Sequence, residues 1–164
     1  MTNEQIAQAF ADLATPALAD ACLRLHAPLR LAPHTIRPVL PQSKVAGRVR
    51  PARHCGSVDI FLEAMCAARH GDVLVADNGG RWDEGCIGGL IALEAQASGL
   101  AGIVIWGAHR DTADLLRIGL PVFSCGAYAA GPQRLDLRHF EALPAPDAVV
   151  GRPEHGVIYC RAGT

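Results

Sequence analysis

A chain of 164 residues suits one domain with one sizeable core, and 50% hydrophobic against 19% charged residues excludes a disordered chain. Fifteen Lys and Arg against sixteen Asp and Glu leave a net charge of −1, without the basic excess that a nucleic-acid or anionic-membrane surface needs. Aromatic residues make up only 5%, too few for a single-strand stacking platform.

The opening Met1-Thr2-Asn3-Glu4 has neither the basic nor the apolar region of a secretory leader. No apolar run reaches the roughly 18 residues of a membrane span. The expectation is a cytoplasmic protein that contacts no membrane and no nucleic acid. The first helix begins at a Thr2/Gln5 capping box and repeats Ile6, Phe10 and Leu13 on one face. A second starts at Thr15-Pro16, with Thr15 as N-cap, Pro16 first in the helix, and a Leu18, Cys22, Leu25 stripe. Residues 27 to 43 hold Pro28, Pro33, Pro38 and Pro41 and read as a loop.

Residues 45 to 50 read as a strand. Ser57 to Arg69 reads as a helix with Ile60, Phe61, Ala64, Met65 and Ala68 inward, stopped by Gly71. Val73 to Ala76 is a short buried strand, and Asn78-Gly79-Gly80 turns the chain. A helix from Ile87 to Ser98 carries Leu90, Leu93 and Ala97 and ends at Gly99. Ile103 to Trp106 is apolar on both faces, as a central parallel strand requires. A short helix from Thr112 to Ile118, stopped by Gly119, leads to a strand at Pro121 to Ser124. Residues 132 to 153 show little periodicity, and Val157 to Tyr159 reads as a final strand.

The middle of the chain is therefore strand, helix, strand, helix, strand, which implies parallel pairing with right-handed crossovers. Ligands in such sheets bind beyond the carboxyl ends of the strands. Two segments lie there, Asp77 to Gly89 and Gly107 to Asp111. Gly85, Gly88 and Gly89 cluster at a helix start, where free backbone N–H groups and the helix dipole favour a small carboxylate. Neither a Gly-x-Gly-x-x-Gly nor a Gly-Lys-Ser/Thr pattern occurs, which argues against a nucleotide phosphate. Arg110 offers a fork for a carboxylate and Asp111 a hard oxygen ligand for a divalent cation; alone, Asp111 also reads as a simple helix cap. His109 reads as a supporting neighbour, and Asp83 and Glu84 as a solvated turn. The six cysteines form no Cys-x-x-Cys pair and read as small core residues in a reducing compartment.

The run His109-Arg110-Asp111-Thr112-Ala113-Asp114 matches an Arg-Asp-x-x-Asp/Glu signature. Gly71 to Asp77, Gly119 to Phe123, Thr15 to Cys22 and Val45-Ala46-Gly47 fit the same pattern. Together these segments resemble the RraA-like family, which includes class II 4-hydroxy-4-methyl-2-oxoglutarate aldolases and the regulator of ribonuclease activity A. The resemblance covers residues 13 to 126 and implies an α/β single-domain fold over residues 1 to 164. That fold is of the β/β/α swivelling type, with a central parallel β-α-β-α-β segment, and forms a ring as a homotrimer or hexamer with the site between subunits. It implies Asp111 as metal ligand for Mg²⁺ or Mn²⁺ and Arg110 as the group holding the substrate carboxylate. Gly88, Gly89, Leu90 and Ile91 present backbone amides to a pyruvate-like moiety, and Asp114 marks the aldolase members. The implied activity is a metal-dependent lyase on a small 2-oxo acid, aldolase and oxaloacetate decarboxylase alike. The alternatives are a non-catalytic regulatory ring and an inactive structural subunit. No glycine-rich adenosylmethionine loop follows the first strand, which argues against a methyltransferase.

Two departures stand out. Many relatives carry a carboxylate where Gly89 stands. The family's Pro-Gly-Asp strand pair and closing Asp-x-x-Gly turn are not found after Cys160, so the C-terminal strands read as missing or divergent. Glu141, Asp147 and Glu154 are then the remaining candidates for an acidic group given to a neighbour's site.

Overall fold

The computed structural model describes residues 1–54, 56–132, 148–152 and 156–160. Helix α1 (Asn3–Phe10) is opened by the expected capping box: Gln5 N–H donates to Thr2 Oγ1 at 3.3 Å and Thr2 N–H to Gln5 Oε1 at 2.8 Å. Ile6 is buried, while Leu13 lies past the helix and is exposed. Helix α2 (Thr15–Arg24) begins one residue earlier than expected. Ala14 is its N-cap, and Thr15 is helical with its hydroxyl buried. Leu18 and Cys22 are half-buried but Leu25 is exposed, so the expected stripe stops a turn short.

The proline-rich stretch holds two two-residue strands, β1 (Arg30–Leu31) and β2 (Arg37–Pro38). Strand β3 (Val45–Arg53) runs three residues past the expected end and through Pro51. Helix α3 (Asp59–Cys66) buries Ile60, Phe61, Ala64 and Met65, as the periodicity requires. It is followed by β4 (Val73–Asp77), β5 (Gly85–Ile87), α4 (Gly89–Ala97), β6 (Gly102–Trp106) and β7 (Ala108–His109). Then come α5 (Thr112–Ile118), β8 (Val122–Ser124), β9 (Gly126–Ala127), β10 (Ala148–Arg152) and β11 (Gly156–Cys160).

The main sheet runs β1-β11-β10-β3-β4-β6-β8-β2. Its centre, β3-β4-β6-β8, is parallel, and antiparallel strands flank it on both sides. Successive side chains on a strand face opposite sides. Leu74, Ala76, Ile103 and Ile105 accordingly join α3, α4 and α5 in one core, while Val73 and Val104 join Ile36, Val45 and Phe123 in a second. Each large apolar side chain buried here contributes about 1.5–3 kcal/mol, so the strand ends that carry the site rest on a stiff floor.

A second sheet, β5-β7-β9, is parallel and three-stranded, and it takes the chain out of the main sheet just before α4 and α5. It corrects the reading of α4. Ile87 belongs to β5, the helix starts at Gly89, and its buried face is Ile91, Ala92 and Ala95. Leu90 (82% exposed) and Leu93 (53%) point away from the core. The helix is apolar nearly all round, so periodicity could not choose the face. The cysteine reading also needs correction: Cys86 is buried, Cys22 and Cys125 are half-buried, and Cys66 is exposed. Among the described residues no helix is long and apolar enough to cross a membrane.

Candidate active site

The segments that follow β4 and β6 meet at one crevice: β5 and β7 pair in the second sheet, and Gly85, Gly88, Arg110 and Asp111 line the crevice. Arg110 follows β7, and its backbone N–H donates to Ile87 O at the end of β5 (2.9 Å). Asp111 comes next in a left-handed conformation (φ 56°, ψ 43°), which costs a non-glycine residue about 1–2 kcal/mol. Aspartate tolerates that region better than most residues. The consequence is directional. Asp111 occupies the N-cap position of α5 yet makes no side-chain cap there. Its carboxylate turns to the next helix instead, and Oδ2 accepts from Gly89 N–H at the start of α4 (3.2 Å) and from Arg110 Nε (3.2 Å). The simple helix-cap alternative for Asp111 is thereby set aside.

Gly88 is the N-cap of α4, in extended backbone. A Cβ there would overlap Asp111 Oδ2 and lie 2.8 Å from Arg110 Cγ, so a side chain at this position would have to displace both. At Gly89 a Cβ would meet the Cβ of Asp114 at 3.0 Å and Oδ2 at 3.2 Å. A relative's carboxylate at that position would crowd Asp114 here. Gly85, expected at the helix start, sits inside β5. Asp114 pairs with Arg117 Nη1 at 2.9 Å on the exposed side of α5 and, among the described residues, forms no ion pair with Arg110, whose partner is Asp111. The amides of Leu90 and Ile91 in the first turn of α4 have no protein partner among the described residues, as expected for a helix N-terminus.

His109 is buried. Its Nδ1 lies 2.7 Å from Ser124 Oγ at the end of β8, and its Nε2 lies 2.9 Å from Thr112 Oγ1 at the start of α5. The ring therefore ties the two elements that flank the Arg110–Asp111 corner. Burial holds its pKa below the ordinary 6.5. Glu84 corrects another expectation. It is buried, 3.0 Å from Arg81 Nη1 and 3.3 Å from His54 Nδ1, whereas Asp83 is the exposed partner of Arg81. The Cys86 thiol is pushed up to about 12 by burial and then by Glu84, which removes it as a nucleophile.

Two clefts meet at Asp111. The larger, about 660 Å³, lies between the α3 start and α4 and is lined by Ser57, Leu62, Gly88, Glu94, Arg110 and Asp111 among others. The smaller, about 480 Å³, lies between α4 and α5 and includes Gly89, Asp114 and Arg117. Ser57, Glu94 and Pro132 were invisible as site residues in the sequence, because they come from segments with no motif. Glu141, Asp147 and Glu154 lie outside the described residues. Among the described residues no cluster of three or more His, Cys, Asp or Glu side chains could cage a metal. A hydrated Mg²⁺ needs only one or two carboxylates, and Asp111 Oδ1 has no protein partner among the described residues, so the donor set fits that ion.

Comparison with known proteins decides the family. The RraA-like model, described as Aldolase/RraA, matches residues 15–142. The chain belongs to the RraA-like family. A Cupriavidus necator protein provisionally named 4-hydroxy-4-methyl-2-oxoglutarate aldolase is 33% identical over 139 residues, 81% of this chain and 78% of that one. The 4-hydroxy-4-methyl-2-oxoglutarate aldolase of Thermus thermophilus is 32% identical over 93 residues, 57% of this chain and 55% of that one. A match to a Shewanella oneidensis relative takes in only 45% of its length. The solved RNA-processing inhibitor RraA of Thermus thermophilus superposes with a TM-score of 0.76 at 22% identity, covering 93% of this chain and 96% of that one. That likeness shows the shared RraA-like fold.

Proposed function

We propose that this RraA-like chain is a divalent-metal-dependent lyase that cleaves a carbon–carbon bond of a 2-oxo acid. The reaction is of the 4-hydroxy-4-methyl-2-oxoglutarate aldolase type, with oxaloacetate decarboxylation as a side activity. The observation that carries the reading is the Asp111 carboxylate. It is withdrawn from its own helix and held by Gly89 N–H and Arg110 Nε at the open N-terminus of α4. Relatives named as aldolases support the lyase class.

Arg110 would grip the substrate carboxylate with its two terminal nitrogens while Nε stays on Asp111. The Leu90 and Ile91 amides and the α4 dipole stabilise negative charge as it develops on the 2-oxo oxygen. In the retro-aldol direction the C4 hydroxyl gives its proton to water, C4 becomes the carbonyl of the departing fragment as the C3–C4 bond breaks, and the bond's electron pair passes into a pyruvate enolate. A proton added at C3 then gives pyruvate. Asp111 would hold Mg²⁺ or Mn²⁺, which supplies Lewis-acid polarisation of the 2-oxo group when bound. Loss of CO₂ from oxaloacetate leaves the same enolate, so one site serves both reactions.

Assembly belongs to the same reading. Leu90 and Leu93 are exposed at the two clefts, a face that a homotrimer or hexamer would cover. A regulatory ring without turnover is the second reading, favoured by the fold likeness to the RNA-processing inhibitor. The deciding experiment measures pyruvate release from 4-hydroxy-4-methyl-2-oxoglutarate and oxaloacetate with and without Mg²⁺ or Mn²⁺. Metal-dependent release is expected. No release from either at saturating metal refutes the lyase and leaves the regulatory ring.

A further inference from the structure

Three glycines from three separate segments lie along the side chain of Arg110. A Cβ on Gly85, inside β5, would stand 2.8 Å from Arg110 Cβ. One on Gly88, before α4, would stand 2.8 Å from Cγ and 3.1 Å from Nε. One on Gly131, four residues past β9, would overlap Nη1 and stand 3.3 Å from Cζ. From root to tip, the arginine runs beside positions that carry no side chain.

Gly131 differs from the other two. A Cβ on Gly85 would also press on the backbone, 2.6 Å from Tyr128 O and 2.9 Å from His109 O, and one on Gly88 would reach Asp111. The three atoms nearest a Cβ on Gly131 all belong to Arg110: Nη1, Cζ and, at 3.8 Å, Cδ. The backbone leading to Gly131 is held in place. Strand β9 pairs with β7, Tyr128 N–H donates to His109 O at 2.7 Å, and Gly85 N–H donates to Ala130 O at 2.7 Å. The φ of Gly131 lies outside the left-handed region, so alanine brings no such strain there. The guanidinium is the end of a flexible side chain with 41% of its surface exposed, and it is the part that yields.

We infer that Gly131 is a positioning residue that sets the angle of the Arg110 fork and, through it, the affinity for the substrate carboxylate. The inference rests on the proposed reading of Arg110, in which Nη1 is one of the two terminal nitrogens on that carboxylate while Nε stays on Asp111. A bidentate grip depends on both nitrogens lying in the plane of the carboxylate. A methyl group at position 131 pushes Nη1 aside and leaves a single bond.

The test is a double-mutant cycle on pyruvate binding at saturating Mg²⁺, read from protein NMR shifts, which follow weak binding as well as tight. The four proteins are the wild type, Gly131→Ala, Arg110→Lys and the double variant, each also melted thermally. Gly131→Ala is expected to melt with the wild type and to weaken pyruvate at least about tenfold, the scale of one hydrogen bond to a charged group. In the Arg110→Lys background the same change should move the affinity less than about twofold, because no Nη1 remains to be displaced. Gly131→Ala that binds pyruvate as the wild type does overturns the inference. Equal weakening in both backgrounds also overturns it, as does a large fall in melting temperature, which would make residue 131 a glycine of the fold. Arg110→Lys that binds as the wild type does, or a wild type that binds no pyruvate, overturns the reading of Arg110 instead, and the inference with it.

Discussion

Gly88→Ala perturbs the site without removing any functional group. The φ of −132° at Gly88 is open to any residue, so the backbone exacts no penalty. The added methyl overlaps Asp111 Oδ2 and stands 2.8 Å from Arg110 Cγ and 3.1 Å from Arg110 Nε. The Asp111 backbone is held by Asp114 and Leu115 N–H groups on its carbonyl at 2.9 and 3.1 Å, so the carboxylate is the part that gives way. The bond from Gly89 N–H to the carboxylate must therefore break. A hydrogen bond to a charged group is worth about 1.5–3 kcal/mol. The expected loss is roughly 10- to 150-fold in kcat/KM, with apparent metal affinity falling in parallel. Steady-state kinetics with a metal titration, alongside circular dichroism, reads both. Gly119→Ala is the control: its φ of +77° makes alanine strained, but no atom lies within 4 Å of the new Cβ. It should lower stability by about 1 kcal/mol and leave kinetics alone. Folded Gly88→Ala with wild-type kinetics would refute the proposed Asp111 geometry.

Asp111→Ala should remove metal dependence and turnover together, measured by pyruvate release against added chelator. Arg110→Lys should cost at least about tenfold in kcat/KM, because lysine lacks the fork, while Asp114→Ala should cost less, since Asp114 pairs with Arg117 and not Arg110. His109 is held below its usual pKa of 6.5 by burial, so the unfolded chain binds the extra proton first. Its contribution to stability is present above about pH 6.5 and is lost as pH falls through the lower folded value. Urea unfolding across pH 5 to 8 should show that slope in the wild type and a flatter one in folded His109→Gln. Leu93→Lys should shift the mass by light scattering from the assembly toward the protomer.

The parts of the fold that rested on a single strong signal were legible in the sequence. The α1 capping box, the Thr112–Ile118 helix with its glycine stop, and the Ile103 to Trp106 strand all stand where local chemistry put them. Segments with competing signals were not legible. Gly85 to Ile87 is too short to show a period, so its pairing into a second sheet was invisible. The all-round apolar α4 then pointed its leucines the wrong way. The sequence placed Arg110, Asp111 and Gly88 near one another through the β-α-β rule. The left-handed turn that aims Asp111 at Gly89 depends on tertiary contacts that no motif encodes. That Asp59 and Glu94 line the same cleft could be found only once α3 and α4 were seen side by side.

The central claim is that Arg110, Asp111 and the α4 amides stabilise a pyruvate enolate. Proton exchange at the pyruvate methyl group in D₂O, followed by NMR, tests it without knowing the natural substrate. Exchange should require Mg²⁺ or Mn²⁺, stop in Asp111→Ala and slow at least about tenfold in Arg110→Lys. Methyl exchange no faster than in buffer at saturating metal, or exchange that survives Asp111→Ala, would contradict it.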